Sequence, residues 1–237
     1  MIIEEKSWKS ISLKREMTVR VIGEDGTPVL VLPDKTGDHQ NIEKFGMTDS
    51  ISFQLENGYN QLFCINTPNV ETFFDPKFTW EEQVSVYKRL EAYIIDEVIP
   101  FVVKHSGNDF IILTGVELGA FICMNLVLKY PFEFGKIITI GGLFDPDTVK
   151  YPIDETLMYF KKPIDYLANM TDRRYLDAIQ KLDIRIAVNS NDPVFDQNLK
   201  FGETMNKKGI PHVFDIWDDQ PVNKWSGYCE MFMKHIV

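Results

Sequence analysis

The chain alternates between short apolar runs and longer segments with helical spacing. Residues 17–22 alternate apolar and polar positions and are rich in β-branched side chains, which predicts a strand, and Gly23-Glu24-Asp25-Gly26 marks a turn after it. Residues 29–32 are wholly apolar and end at Pro33, the pattern of a buried central strand. Residues 34–50 read mostly as loop, and 50–55 fit either a short helix or a strand. A second buried strand is predicted over 61–66. Further strands are predicted over 110–114, 136–140, 183–188 and 212–217.

The longest helical pattern covers 79–104. Thr79 is placed to cap it, with Glu82 three positions on. Val86, Leu90, Tyr93, Ile94 and Val98 then recur on one face, and Pro100 is expected to kink or end the helix. Helices are also predicted over 119–130, 197–208 and 223–236, while 143–181 is irregular with helical pieces. Strand and helix alternate along the chain, which predicts an α/β fold with a mostly parallel sheet covered on both faces. No repeat, low-complexity stretch or linker interrupts 1–237, so one domain is expected.

Composition narrows the function classes. The chain has 237 residues, 44% hydrophobic and 25% charged, the profile of a globular protein. Its net charge of −10 disfavours nucleic acid and anionic membranes as partners. Lys161-Lys162 and Lys207-Lys208 are too short to form a binding track. Cys64, Cys123 and Cys229 have neither a disulfide framework nor zinc spacing. The acidic N-terminal residues do not resemble a signal peptide, and a cytoplasmic location is expected.

The chemistry centres on residues 110–121, where an apolar strand turns into an apolar helix through Gly115-Val116-Glu117-Leu118-Gly119. Small residues two positions either side of a central residue are what a nucleophile elbow needs, because strand and helix approach closely there. The nucleophile in that pattern is serine; here the position holds Glu117. By local pattern alone, an ordinary βα turn with packing glycines accounts for the segment equally well.

Other segments extend the comparison. They include Gly26-Thr27-Pro28-Val29-Leu30-Val31-Leu32-Pro33, Gly58 to Cys64, Tyr93 to Phe101, and Lys129-Tyr130-Pro131-Phe132-Glu133-Phe134-Gly135. Pro163-Ile164-Asp165-Tyr166-Leu167 and Gly209-Ile210-Pro211-His212 complete the set. On these segments the chain resembles, over nearly its full length, the esterase branch of the α/β-hydrolases related to esterase D. The resemblance implies the α/β-hydrolase fold, with a cap-like insertion over 143–181. It also implies a triad in the chain order nucleophile, acid, histidine. Matching the tryptophans of the family's last loop to Trp217 and Trp225 puts Asn223 where the histidine belongs. The acid falls in the loop after 183–188, at Asp192 or Asp196. The oxyanion donors would be the backbone N–H of Leu118 and one from Asp34 or Lys35.

Two of the three triad positions are therefore altered. Of the four histidines, only His39 lies in a loop near the oxyanion side, as a remote substitute. Glu117 is expected to accept hydrogen bonds from the N-terminal N–H groups of the following helix and so plug the oxyanion hole. The first functional expectation is an esterase-like protein that has lost serine-hydrolase chemistry and binds a small molecule or a protein, self-association included. The alternative is a hydrolase of carboxylic esters or a related substrate with a non-standard site built on Glu117. A third reading is a scaffold whose surface matters more than its pocket. No cofactor and no metal are implied. Phe73, Phe74, Phe78 and Trp80, and the aromatics Tyr151, Tyr159, Phe160 and Tyr166, fit either a pocket mouth or plain packing.

Overall fold

The computed structural model describes residues 2–68, 77–145, 162–218 and 223–237, with Trp80 described by its backbone only. Among these residues eight strands form one sheet in the order β1-β2-β4-β3-β5-β6-β7-β8. They are β1 (Ile3–Lys9), β2 (Glu16–Ile22), β3 (Thr27–Leu32), β4 (Asn60–Ile65), β5 (Ile112–Val116), β6 (Lys136–Ile140), β7 (Asp183–Asn189) and β8 (Val213–Trp217). β1 and β2 pair antiparallel, β2 meets β4 antiparallel, and every pair from β4 through β3 to β8 is parallel. β4, β5 and β6 are buried at every position, as strands covered on both faces must be.

Strand β1 was not expected from the sequence. Its acidic residues and mostly exposed pattern suit an edge strand, where charge discourages pairing with another chain. The stretch predicted as loop over 34–50 holds two single-turn helices, α1 (Asn41–Lys44) and α2 (Met47–Ser50), and α3 (Ser52–Glu56) follows.

The long helix runs as predicted but passes Pro100. It consists of α4 (Trp80–Tyr93), a π-helical turn over Ile94–Val98, and α5 (Ile99–Ser106). Thr79 and Glu82 make the expected capping box. Proline lacks an N–H and crowds the carbonyl four residues back. The wider π turn just before it relaxes that conflict, so the helix continues.

That π turn also anchors the N-terminal hairpin. The Glu97 carboxylate accepts hydrogen bonds from Trp8 Nε1 at 3.0 Å, Ser10 Oγ at 2.9 Å and the Ser12 N–H at 3.0 Å. Burial would raise its pKa, but these donors outweigh burial and hold it below the ordinary carboxylate value.

Helix α6 (Leu118–Lys129) follows the elbow and is buried from Leu118 to Leu128, so it forms the middle of the larger core. Of the region 143–181, residues 146–161 lie outside the described part. The helices beyond them, α7 (Pro163–Asn169) and α8 (Arg173–Ile179), place Ile164, Leu167, Leu176 and Ile179 in that same core. Phe73 and Phe74 also lie outside the described residues, while Phe78 is exposed. Helices α9 (Phe195–Lys207) and α10 (Lys224–Ile236) complete the chain. No helix among the described residues is long and apolar enough to cross a membrane.

Replacing the Glu97 carboxylate by an amide, Glu97→Gln, is expected to destabilise the protein by about 1–3 kcal/mol at neutral pH, the scale of hydrogen bonds to a charged group. Because the folded-state pKa is depressed, this contribution is present above the ordinary carboxylate pKa and lost as pH falls through the depressed one. Urea unfolding of both proteins from pH 7 to pH 3 should therefore show two curves that converge in acid.

Candidate functional site

The site lies at the C-terminal ends of the parallel strands, where α/β sheets place their ligands. β5 ends at Val116 and α6 begins at Leu118, so Glu117 alone makes the turn. Its backbone sits at φ 50 and ψ −108, a conformation that L residues rarely adopt. The Glu117 N–H donates to Ile140 O at 3.0 Å, and its carbonyl accepts from Leu143 N at 3.2 Å and Phe121 N at 3.1 Å.

The two glycines are a packing requirement. A Cβ on Gly115 would fall 2.5 Å from the Gly119 carbonyl carbon. A Cβ on Gly119 would fall 2.6 Å from both Leu32 O and Pro33 O. That second approach brings the start of α6 against the end of β3, beside Asp34 and Lys35. The first N–H groups of a helix have no partner within it, and Leu118 is the first residue of α6. The Asp34 carboxylate is turned into its own loop, accepting from Thr36 N at 2.8 Å and Thr36 Oγ1 at 2.6 Å.

The Glu117 side chain makes no hydrogen bond to the helix N-terminus, which corrects the expectation that it plugs that position. It turns towards α10 instead. Lys224 Nζ lies 2.7 Å from Glu117 Oε1 and 3.4 Å from Asp192 Oδ2. The Tyr228 hydroxyl donates to Asp192 Oδ2 at 3.2 Å and reaches Glu117 Oε1 at 3.4 Å. Lys224 and Tyr228 are four residues apart on one helix face, so both reach the same point. Gly141 leaves room for the tyrosine, since a Cβ there would meet its hydroxyl at 2.7 Å.

Asp192 lies in the loop after β7, and its side chain is 4% exposed. It also accepts from Val194 N at 3.1 Å. Asp196 is exposed in the first turn of α9. Of the two acids that the sequence left open, Asp192 is the one in the cluster. Asn223 caps α10: its Oδ1 accepts from Ser226 N at 3.0 Å, and Ser226 Oγ accepts from the Asn223 N–H at 3.2 Å. The side chain that reaches the elbow is that of the next residue, Lys224. The sequence reading passed over Lys224 and Tyr228, although their spacing from Asn223 on a predicted helix was a signal.

Charge at the cluster is set by these contacts. Burial draws the Lys224 pKa down, but Glu117 and Asp192 outweigh it and hold it above the ordinary lysine value. Burial, then the two carboxylates, push the Tyr228 pKa far up, so the hydroxyl stays neutral. No histidine joins them. His39 stands 3.5 Å from Glu5, His105 packs on Phe63 and Phe101, His212 Nδ1 meets Ile210 O at 2.9 Å, and His235 pairs with Asp215 at 2.8 Å. Among the described residues no group of three or more His, Cys, Asp or Glu is arranged to hold a metal ion.

No protein-family model matches the chain, and no curated protein matches it in sequence. Solved structures do match. An S-formylglutathione hydrolase from Agrobacterium tumefaciens superposes with a TM-score of 0.78 at 16% identity, over 99% of this chain and 92% of its own. A ferulic acid esterase gives 0.77 at 14% identity, covering 99% and 96%. An S-formylglutathione hydrolase from Staphylococcus aureus gives 0.71 at 12% identity, covering 99% and 97%. At such identities the likeness is one of fold. The chain has the α/β-hydrolase fold of these esterases.

If the close approach of α6 to β3 holds the elbow in place, Gly119→Ala must push the helix away from Leu32 and Pro33. A loss of about 1–3 kcal/mol in urea unfolding is expected, the usual cost of overpacking. An unchanged midpoint would mean that the approach is looser than described.

Proposed function

We propose that this protein is an esterase-like α/β-hydrolase homologue that has lost serine-hydrolase chemistry and acts by binding a small ligand or a protein partner at the elbow. The observation that carries this reading is the ion pair between the elbow residue, Glu117, and Lys224.

Serine-esterase chemistry needs a hydroxyl nucleophile and a base to take its proton. Here the elbow offers a carboxylate. The group between it and the acid Asp192 is the ammonium of Lys224, one position beyond the Asn223 that the resemblance matches to the histidine. An ammonium held above its ordinary pKa does not accept a proton at neutral pH. The tyrosine is neutral and hydrogen-bonded to the acid. The nucleophile and base positions thus hold Glu117 and Asn223, the acid Asp192 stays, and an ammonium stands between the two carboxylates.

Attack by Glu117 on an ester would give an anhydride, and its breakdown needs an activated water. Neither Lys224 nor Tyr228 can serve as that base in the state described. Glutamate also carries one methylene more than the aspartate nucleophiles of related folds, which displaces the attacking oxygen by about a bond length. The retained backbone strain at Glu117 reads as inherited scaffold geometry that now aims a carboxylate into the site.

Hydrolysis of short-chain p-nitrophenyl esters by the wild type and by Glu117→Ala is the direct test. Both are expected at the buffer rate. Turnover by the wild type that disappears in Glu117→Ala would overturn the proposal and make Glu117 the catalytic centre of a hydrolase acting on carboxylic esters or a related substrate.

A further inference from the structure

The cluster at the elbow already holds a primary ammonium group, and that group belongs to the protein. Lys224 Nζ has Glu117 Oε1 at 2.7 Å and Asp192 Oδ2 at 3.4 Å, and stands 5.4 Å from the centre of the Tyr228 ring. Carboxylates on two sides and an aromatic face suit an –NH3+, which has three donors and no acceptor. A divalent metal asks for more oxygen ligands than two carboxylates and a tyrosine supply. With Tyr228 neutral, two carboxylates against one lysine leave a net charge of −1 at the cluster. An anionic ligand is disfavoured there.

Two further features bear on a ligand. The Lys224 side chain is 47% exposed, and ion pairs so exposed are weak, so its head group is replaceable. A cavity of about 260 Å³ lies beside it. Asp192, Lys224, Tyr228 and the asparagines at 189, 191 and 223 supply polar lining, and Pro193, Gly227 and Met231 supply apolar lining; Glu117 lies outside the lining and is reached through the Lys224 head group. That volume is below the usual range of drug-sized pockets, so the ligand is a small one. Its chemistry should match the walls: a cationic head and a short apolar body.

Resting on the reading that this site binds and does not catalyse, we infer that the cavity beside Lys224 receives a small primary alkylammonium ligand. Its ammonium group competes with Lys224 for Glu117 and Asp192. Lys224 is then a built-in competitor that sets the affinity of the site. The alkyl part of the ligand lies against Pro193 and Met231, and Tyr228 faces the charge.

Lys224→Met removes the competitor and leaves both carboxylates and the tyrosine in place. Wild type and variant are titrated with ethylammonium chloride, with tetramethylammonium chloride and sodium chloride at equal ionic strength as controls. Binding is followed by saturation-transfer NMR and by melting temperature. Lys224→Met is expected to bind ethylammonium about two- to fivefold more tightly than the wild type, the scale of one exposed ion pair, and adding Glu117→Gln should abolish the gain. Tetramethylammonium, which has no N–H, should do neither. Equal affinity of the wild type and Lys224→Met for ethylammonium, or an equal response to tetramethylammonium, would overturn the inference. Should Lys224→Met fail to fold, the wild type alone decides: an ethylammonium signal that is lost in Glu117→Gln supports the site, and no signal in the wild type refutes it. Ester turnover tests the non-catalytic reading separately, so failure of the ligand assay leaves that reading standing.

Discussion

The site depends on one backbone constraint, the close passage of helix α6 across the ends of β5 and β3. Gly115 and Gly119 permit it, because a Cβ on either would collide with main-chain atoms. The passage forces a single residue, Glu117, to turn the chain at φ 50 and ψ −108. Strain of this kind persists only where the surroundings over-determine it. Here they are a helix buried from Leu118 to Leu128 and a strand buried at every position. The fold therefore presents whatever side chain stands at 117 to the loops that follow β6, β7 and β8.

What those loops present in return decides the chemistry. Asp192 comes from the turn after β7, and Lys224 and Tyr228 from the helix after β8. The four side chains form one network in which each carboxylate is matched by the ammonium and the hydroxyl. Lowering a proton barrier requires a group whose pKa lies near neutrality. This network instead moves the pKa values of the lysine and the tyrosine upward, away from neutral pH. On the proposed reading, the same arrangement that removes acid–base chemistry suits the recognition of positive charge.

Much of the architecture was legible in the sequence, because buried parallel strands read as continuous apolar runs. The strands at 29–32 and 136–140 were found for that reason, and the elbow glycines marked the turn. β1 was missed because an exposed edge strand carries charges and has no apolar signature. Pro100 was expected to kink or end the helix because the π turn that accommodates it leaves no trace in composition. At the site, Glu117 was marked by its flanking glycines, and the loop holding Asp192 followed from what the family resemblance implies. Lys224 was not, since aligning on tryptophans stops at the residue opposite the missing histidine. The lysine reaches the elbow by its length, from one position further on, and long side chains escape arguments made residue by residue. The direction of the Glu117 carboxylate was likewise beyond the sequence: a helix N-terminus and a lysine both attract it, and only the fold decides between them.

The central claim is that Glu117 and Lys224 act as one unit at the elbow. A double-mutant cycle on Glu117→Gln and Lys224→Met, read by urea unfolding at neutral pH, tests it most directly. The account predicts a favourable coupling larger than the ~0.3–0.5 kcal/mol scatter of independent sites. Additive effects within that scatter would contradict it and leave Glu117 without the partner that defines the site.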